Sequence, residues 1–393
     1  MSRRLLLFVV LLVLFFLVLQ ATRPTLSNPP VTAELQVPPE VKQILRNACY
    51  NCHSNETKLS WFDQPIPAYW LVLRDVQEAR KHVNFSELGK LPLAQQNGVL
   101  FEAVNQIQFG AMPLRSYRYA HLDAAVAPEE LAVLKAYLIR SAPHPARGGG
   151  PPFRSATEAG PVSPAPNGIA FLPDYKNWRA VSSTDRFDNS TIRQVLGNDV
   201  AIQAIADNHT NPWPNGTAFA KVAWAKEVDD QGIERPGSFV QVEFMVRDSG
   251  KYSATRNWGF ARWRGADLKP YGKDASFVNE CVGCHEPLRK NDFVFTKPVT
   301  PVPDGRVITG WIDPRNETMS TLYGNNLAVD YARRNEGNNY PAGAFLTLVT
   351  WKQIPDEHWF GAKIAGLPGT VQNVKIGDPG AGGLVLLRAS PMP

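Results

Sequence analysis

The chain has 393 residues, 44% of them hydrophobic, and a net charge of only +5. On the usual ~100–200 residues per domain it should hold two or three domains with sizeable cores. So small and dispersed a basic excess gives nucleic acid no electrostatic footprint, and 33 prolines with 29 glycines predict many loops and a linker.

The amino terminus is basic at Arg3-Arg4 and then apolar without interruption from Leu5 to Leu19, the pattern of an export signal. Cleavage after Ala21 would put Leu19 at the minus-three position, where a small residue is wanted. Residues 1–22 are therefore expected to be a signal or membrane anchor, an uncleaved anchor with residues 5–21 in the inner membrane being favoured over a removed signal peptide. Arg3 and Arg4 stay inside, and the bulk of the chain becomes periplasmic.

Residues 23–40 are polar and proline-bearing, a tether. After Pro38-Pro39-Glu40, Val41, Ile44, Leu45 and Ala48 recur at helical spacing. That helix runs into Cys49-Tyr50-Asn51-Cys52-His53. Helices follow over 68–83 (Tyr69, Val72, Leu73, Val76, Ala79), over 97–109, and from Pro128 with Leu131, Leu134, Tyr137 and Leu138 facing inward. Residues 41–143 thus form a small all-α domain, and the Pro/Gly/Ser-rich stretch 144–168 a linker.

From residue 169 the pattern changes to strands. Period-two alternation over 217–225 and 239–246 argues for antiparallel sheet, with Val240, Val242, Phe244 and Val246 on one face. Lys221 and Glu243 stand on the other face, which pattern alone assigns to solvent. Further on comes Cys281-Val282-Gly283-Cys284-His285.

Cys-x-x-Cys-His is the attachment signature of a c-type haem: two thiols reach the porphyrin vinyls, and the histidine ligates iron. The two copies consume all 4 cysteines. A redox disulfide needs no following histidine. A zinc ribbon spaces its pairs by roughly 15–20 residues, far closer than Cys52 and Cys281. Two covalently bound c-type haems are therefore expected, on Cys49, Cys52 and His53 and on Cys281, Cys284 and His285.

In the first domain, Met112 in Gly110-Ala111-Met112-Pro113 is placed to be a second iron ligand, its competing role being that of a core gap-filler. Cys49 to Thr57, Asn84-Phe85-Ser86-Glu87 and Gly110 to Pro113 together resemble the bacterial haem-binding domain family. The resemblance implies His53 and Met112 as axial ligands, with His121 a weaker alternative. An iron with two protein ligands has no open position, so this haem would carry electrons.

The second domain, 169–300, is similar to cytochrome P-460, a mostly β periplasmic protein with one c-type haem. The similarity rests on Tyr175-Lys176-x-Trp178, Ile192-Arg193, Asn215-Gly216-Thr217-x-x-x-Lys221, Val242-Glu243, Asn257-Trp258 and Cys281 to Thr296. It implies that Lys221 forms an extra covalent bond to the porphyrin. It also implies that His285 is the one protein ligand, and that Glu243 is a distal proton relay in hydroxylamine oxidation. Cytochrome c′-β, of similar fold, presents instead an aromatic distal pocket, and Phe219, Phe244, Trp258 and Phe260 are near in sequence. Met245 is a conceivable sixth ligand.

Residues 318–351 echo 191–224 at an offset of 127 (318 against 191, 351 against 224). Leu348 stands where the first copy has Lys221, and the second copy has no cysteine. Residues 301–393 are expected to be a degenerate haem-less sister domain, packed on the first copy or completing its sheet.

The expected protein is multidomain α plus β: an all-α c-type cytochrome domain, an antiparallel β P-460-like domain and its degenerate repeat. It would oxidise hydroxylamine or react with nitric oxide and pass electrons singly to a redox partner. The alternatives are a nitric oxide-binding protein without turnover and a pure electron carrier.

Overall fold

The computed structural model describes residues 3–147, 161–334, 339–377 and, for backbone alone, 384–390. Most of the expected linker therefore lies outside the described residues. The chain divides into two compact units, Met1–Ser141 and Ala142–Pro393.

The first unit is helical. It opens with α1 (Arg3–Ala21), 19 residues with none buried, apolar and long enough to cross a membrane. At 1.5 Å per residue it is roughly 28 Å long, close to a bilayer's hydrocarbon thickness. The stretch 23–37 has no helix or strand, but it is no free tether. Leu35 is buried, Tyr69 donates to Pro24 O at 2.6 Å, and Arg80 donates to Ser27 O at 2.6 Å.

Helix α2 (Pro39–Ala48) starts on a proline whose missing N–H costs nothing there, and buries Val41, Ile44 and Leu45. After the single turn α3 (Tyr50–His53) come α4 (Ala68–His82), α5 (Leu93–Gln108), α6 (Arg115–Ala120) and α7 (Pro128–Ser141). Val41 and Leu45 meet Leu100 and Val104 of α5 and Leu134 and Leu138 of α7 in the core. Only the short, polar α6 had no apolar period to announce it.

The second unit is a mostly antiparallel β domain. Strand β1 (Ala146–Arg147) pairs parallel with β4 (Ala218–Val228) at one edge. The first repeat contributes β2 (Arg179–Arg186), β3 (Thr191–Gly197), α8 (Asp199–Ala206), β4 (Ala218–Val228), β5 (Glu234–Arg247), β6 (Trp258–Arg264) and β7 (Lys269–Pro270). Helix α9 (Val278–His285) follows. The second repeat contributes β8 (Arg306–Asp313), β9 (Thr318–Gly324), α10 (Asn326–Arg334), β10 (Phe345–Pro355), β11 (Ala362–Ile376) and β12 (Leu384–Ser390).

Elements β8, β9, α10 and β10 follow β2, β3, α8 and β4 at the offset seen in the sequence. Asn198 and Asn325 do the same work in each copy. Asn198 accepts from Ala201 N at 3.0 Å to cap α8 and donates to Gly216 O at 2.8 Å; Asn325 accepts from Ala328 N at 3.0 Å and donates to Gly343 O at 3.0 Å.

The strands run β4-β3-β2-β11-β10-β9-β8-β5, and the β4–β5 pairing closes them into a ring. The second repeat therefore completes the sheet of the first. Its inward face holds one core fed by both copies: Trp224, Val242, Phe244 and Trp263 with Ile312, Met319, Tyr323 and Trp351. A second core lies on the other face of the first repeat's sheet. There Val181, Val195, Phe219, Met245, Trp258 and Phe260 pack with α8, Trp213 and Val294, and with Cys281 and Val282 of α9.

Candidate functional site

Alternation puts Val195, Lys221, Glu243 and Arg262 on one face, and the register aligns them. Val195 pairs with Lys221, Lys221 with Glu243, and Glu243 with Arg262, across β3, β4, β5 and β6. This is the face on which the second core packs, so the row is only partly open to solvent, with the Lys221 side chain 34% and the Glu243 side chain 17% exposed. Period two tells the faces apart but not how far each is covered, and here a core packs on both.

Glu243 is ion-paired with Lys221 and lies 2.9 Å from the Arg262 guanidinium, while the Gln241 amide donates to it at 2.5 Å. Burial by itself would raise its carboxyl, but the charges of Lys221, Arg262 and buried Arg193 outweigh it and hold the group well below the usual carboxylate range. Burial lowers Lys221 against the pull of Glu243, and brings Arg193 down to about 9. Arg262, Arg193 and Gln241 were not singled out in the sequence. The available signal was register: Arg262 is the direct cross-strand partner of Glu243.

Helix α9 brings Cys281, Cys284 and His285 to this face. At i, i+3 and i+4 they share one side of the helix. The His285 ring is set by Phe293, whose carbonyl lies 2.6 Å from Nδ1. A carbonyl only accepts, so Nδ1 carries the proton and Nε2 keeps its lone pair. Burial pushes the imidazole down to about 4, with Lys221 lowering it further against Glu243. That mutual influence places His285 within electrostatic reach of the Lys221–Glu243 pair. Phe260 and Phe295 flank the ring at 5.1 and 4.9 Å.

Of the aromatics expected near the site, Phe219, Trp258 and Phe260 are there, whereas Phe244 points into the ring interior. Met245 is buried among the outer-core aromatics as a packing residue.

In the first unit the chain bends at Cys49, whose carbonyl accepts from Cys52 N at 3.1 Å and His53 N at 2.9 Å. The later Asn84-Phe85-Ser86 segment pins this turn: Phe85 N–H donates to His53 O at 2.7 Å, Asn84 to the Asn55 side chain at 2.8 Å, and Asn55 N–H to Ser86 Oγ at 2.9 Å. His53 Nδ1 meets Val83 O at 3.2 Å, and burial lowers the imidazole. Again the ring is neutral with Nε2 free.

Met112 stands in the loop after α5, 37% exposed, with its N–H on Gln106 O at 3.2 Å. His121 is already engaged, its Nε2 3.0 Å from Asp63 and its Nδ1 3.2 Å from Tyr117 O.

No disulfide joins any of the four cysteines. Burial pushes Cys49 up to about 12 and Cys52 and Cys281 to about 11. A dithiol redox pair needs lowered thiols, so that role does not fit. Among the described residues no group of three or more His, Cys, Asp or Glu side chains is gathered as a metal site. Two cysteines beside an oriented imidazole whose Nε2 keeps its lone pair fit a haem at each motif.

The site and fold thus define a haem protein of cytochrome type. Residues 8–140 match the family model of a haem-binding domain, and residues 172–296 that of cytochrome P460. The chain accordingly carries one domain of each, and its second repeat lies beyond both matches. No curated protein matches the chain.

Proposed function

We propose that the chain is an exported, membrane-anchored dihaem c-type cytochrome that oxidises hydroxylamine or reacts with nitric oxide at its second haem. The observation that carries this is the Lys221–Glu243–Arg262 row facing a neutral, oriented His285. Cys49, Cys52, Cys281 and Cys284 would hold the two macrocycles covalently, with His53 and Met112 binding the first iron and His285 the second. When bound, each haem would supply a one-electron couple, and the second, held through His285 alone, could take a small nitrogen compound.

Around that position the chain's residues divide the work. Glu243 receives protons released by the substrate. Arg262 and Gln241 orient its carboxylate. Lys221 supplies either a counter-charge or, bonded to the macrocycle, a second tether. Phe260 and Trp258 exclude water. A thioether from Met112 together with the His53 imidazole would give the first haem a raised potential, suited to taking up single electrons and passing them to a one-electron partner protein. Helix α1 supports the anchored, periplasmic placement.

One observation favours nitric oxide binding without turnover. Paired with free Lys221 and Arg262, Glu243 is a weak base, whereas a relay works best with its pKa near the ambient pH. The test is the absorption spectrum and hydroxylamine turnover of the haem-loaded full chain beside Lys221→Ala and Glu243→Ala. A Soret band far to the red in wild type, lost with Lys221, together with turnover lost in both variants, supports the enzyme. Wild-type turnover in both variants sinks the assigned mechanism. An ordinary c-type spectrum that responds only to nitric oxide selects the gas-binding reading.

A further inference from the structure

The hairpin loop 356–361 joins β10 to β11 in the haem-less repeat. Its counterpart between β4 and β5, residues 229–233, is shorter and has no aromatic residue. The longer loop is braced from behind. Asp356 accepts from His358 N at 2.8 Å, Trp359 Nε1 donates to Asp188 at 3.0 Å, and the Arg186 guanidinium lies 4.5 Å over the Trp359 ring.

In front, His358 grips the strap that follows α9. Its Nδ1 lies 2.7 Å from Phe295 O, so Nδ1 is the protonated nitrogen. Nε2 is then an acceptor, and the Asn291 amide donates to it at 2.9 Å. One imidazole therefore ties residues 291 and 295 together.

Between those ties sits the carbonyl that orients the haem ligand: Phe293 O, 2.6 Å from His285 Nδ1. The backbone there is held in an unfavourable region, with φ of 49° at Asp292 and 66° at Phe293. A bulky phenylalanine at positive φ persists only where its surroundings over-determine it. Asp292 is pinned by Trp213 N–H at 2.9 Å and by Arg247 at 3.0 Å, and Phe295 packs edge-on against His285. His358 supplies the hold on the other side of Phe293, from a part of the chain without any haem motif.

We infer that His358 is a positioning residue for the proximal ligand, through which the haem-less repeat sets the potential of the second haem. The inference rests on His285 binding that iron. A strong Nδ1–H bond to a carbonyl makes the imidazole a better electron donor and stabilises the ferric state. Loosening residues 291–295 weakens that bond, so the potential should rise.

The test is a potentiometric titration of the haem-loaded full chain with four variants. His285→Gly assigns the second haem's component of the titration. If both components survive it unchanged, His285 is not the ligand and the underlying reading fails. His358→Phe removes both ties and should raise the assigned potential. His358→Asn keeps a donor near the Nδ1 position and should restore the wild-type value, while His358→Gln, which keeps only the Nε2-like group, should not. An unchanged potential in His358→Phe, or equal shifts in all three His358 variants, overturns the inference with His285 ligation intact. Should His358→Phe lose its haem, the Asn and Gln variants still decide, since equal potentials would refute it.

Discussion

The two repeats of the second unit share strand order, helix position and capping asparagines, and they differ along one cross-strand row. In the first copy it reads Val195–Lys221–Glu243; in the second it reads Leu322–Leu348–Gln372. Every charge has been removed on the side that lacks a Cys-x-x-Cys-His helix. Taking charge even partly out of water carries a desolvation cost, so a half-buried ion pair is weak evidence of stabilisation. Its retention in one copy alone therefore separates function from fold. Both copies keep their inward aromatic residues, Trp224 in the first and Trp351 in the second, because both line one core.

The largest effect expected from breaking this comparison is on chemistry. Glu243→Gln copies the second repeat at one position and should cut hydroxylamine turnover by about 10²–10⁴-fold, measured in steady state against a one-electron acceptor. Nitric oxide affinity should survive. On the fold, Trp351→Ala empties a fully buried site in the shared core and should cost about 3–5 kcal/mol in denaturant melts, although it lies in the haem-less copy. A loss under 1 kcal/mol would mean the repeats are energetically independent.

Glu243→Gln should also destabilise, since it leaves half-buried Lys221 and Arg262 and buried Arg193 without their carboxylate. Adding Lys221→Leu, the full pattern of the second copy, should recover at least about 1 kcal/mol of that loss. The same carboxylate has a pH signature. Its folded-state pKa is depressed, so its contribution is complete above the unfolded value of about 4.3 and is lost as the pH falls towards the folded value. Acid melts of Glu243→Gln should lack this part of the wild-type decline below about pH 4. The smallest effects should be equal in the two copies. Asn198→Ala and Asn325→Ala each remove one helix cap and should cost about 1 kcal/mol, read by the same melts.

The legible parts of the chain were those written in contiguous residues. Cys49 to His53 and Cys281 to His285 are spelled out within one helical turn each, so their chemistry needs no tertiary knowledge. The helices carrying Val41, Tyr69 and Leu134, and the strands carrying Lys221 and Glu243, follow from local periodicity. The repeat was visible because identical turn and cap residues recur at one spacing.

What local pattern could not reveal was which surfaces are covered and by what. His121 is held by Asp63, 58 residues away in the chain. Lys221 and Glu243 resembled surface charges because alternation is blind to a second layer on the outer face. Arg262 and Arg193 join them only through strand register, and His358 reaches Phe295 across 63 residues. Sequence alone determined the cofactor-bearing motifs, the apolar leader, the class of each domain and the existence of the repeat, since each depends on residues near in the chain. Tertiary structure decided that the second repeat closes the ring, that the charged row faces α9, and that His358 braces the strap behind His285. Each of these rests on contacts between segments whose separation leaves no local signature.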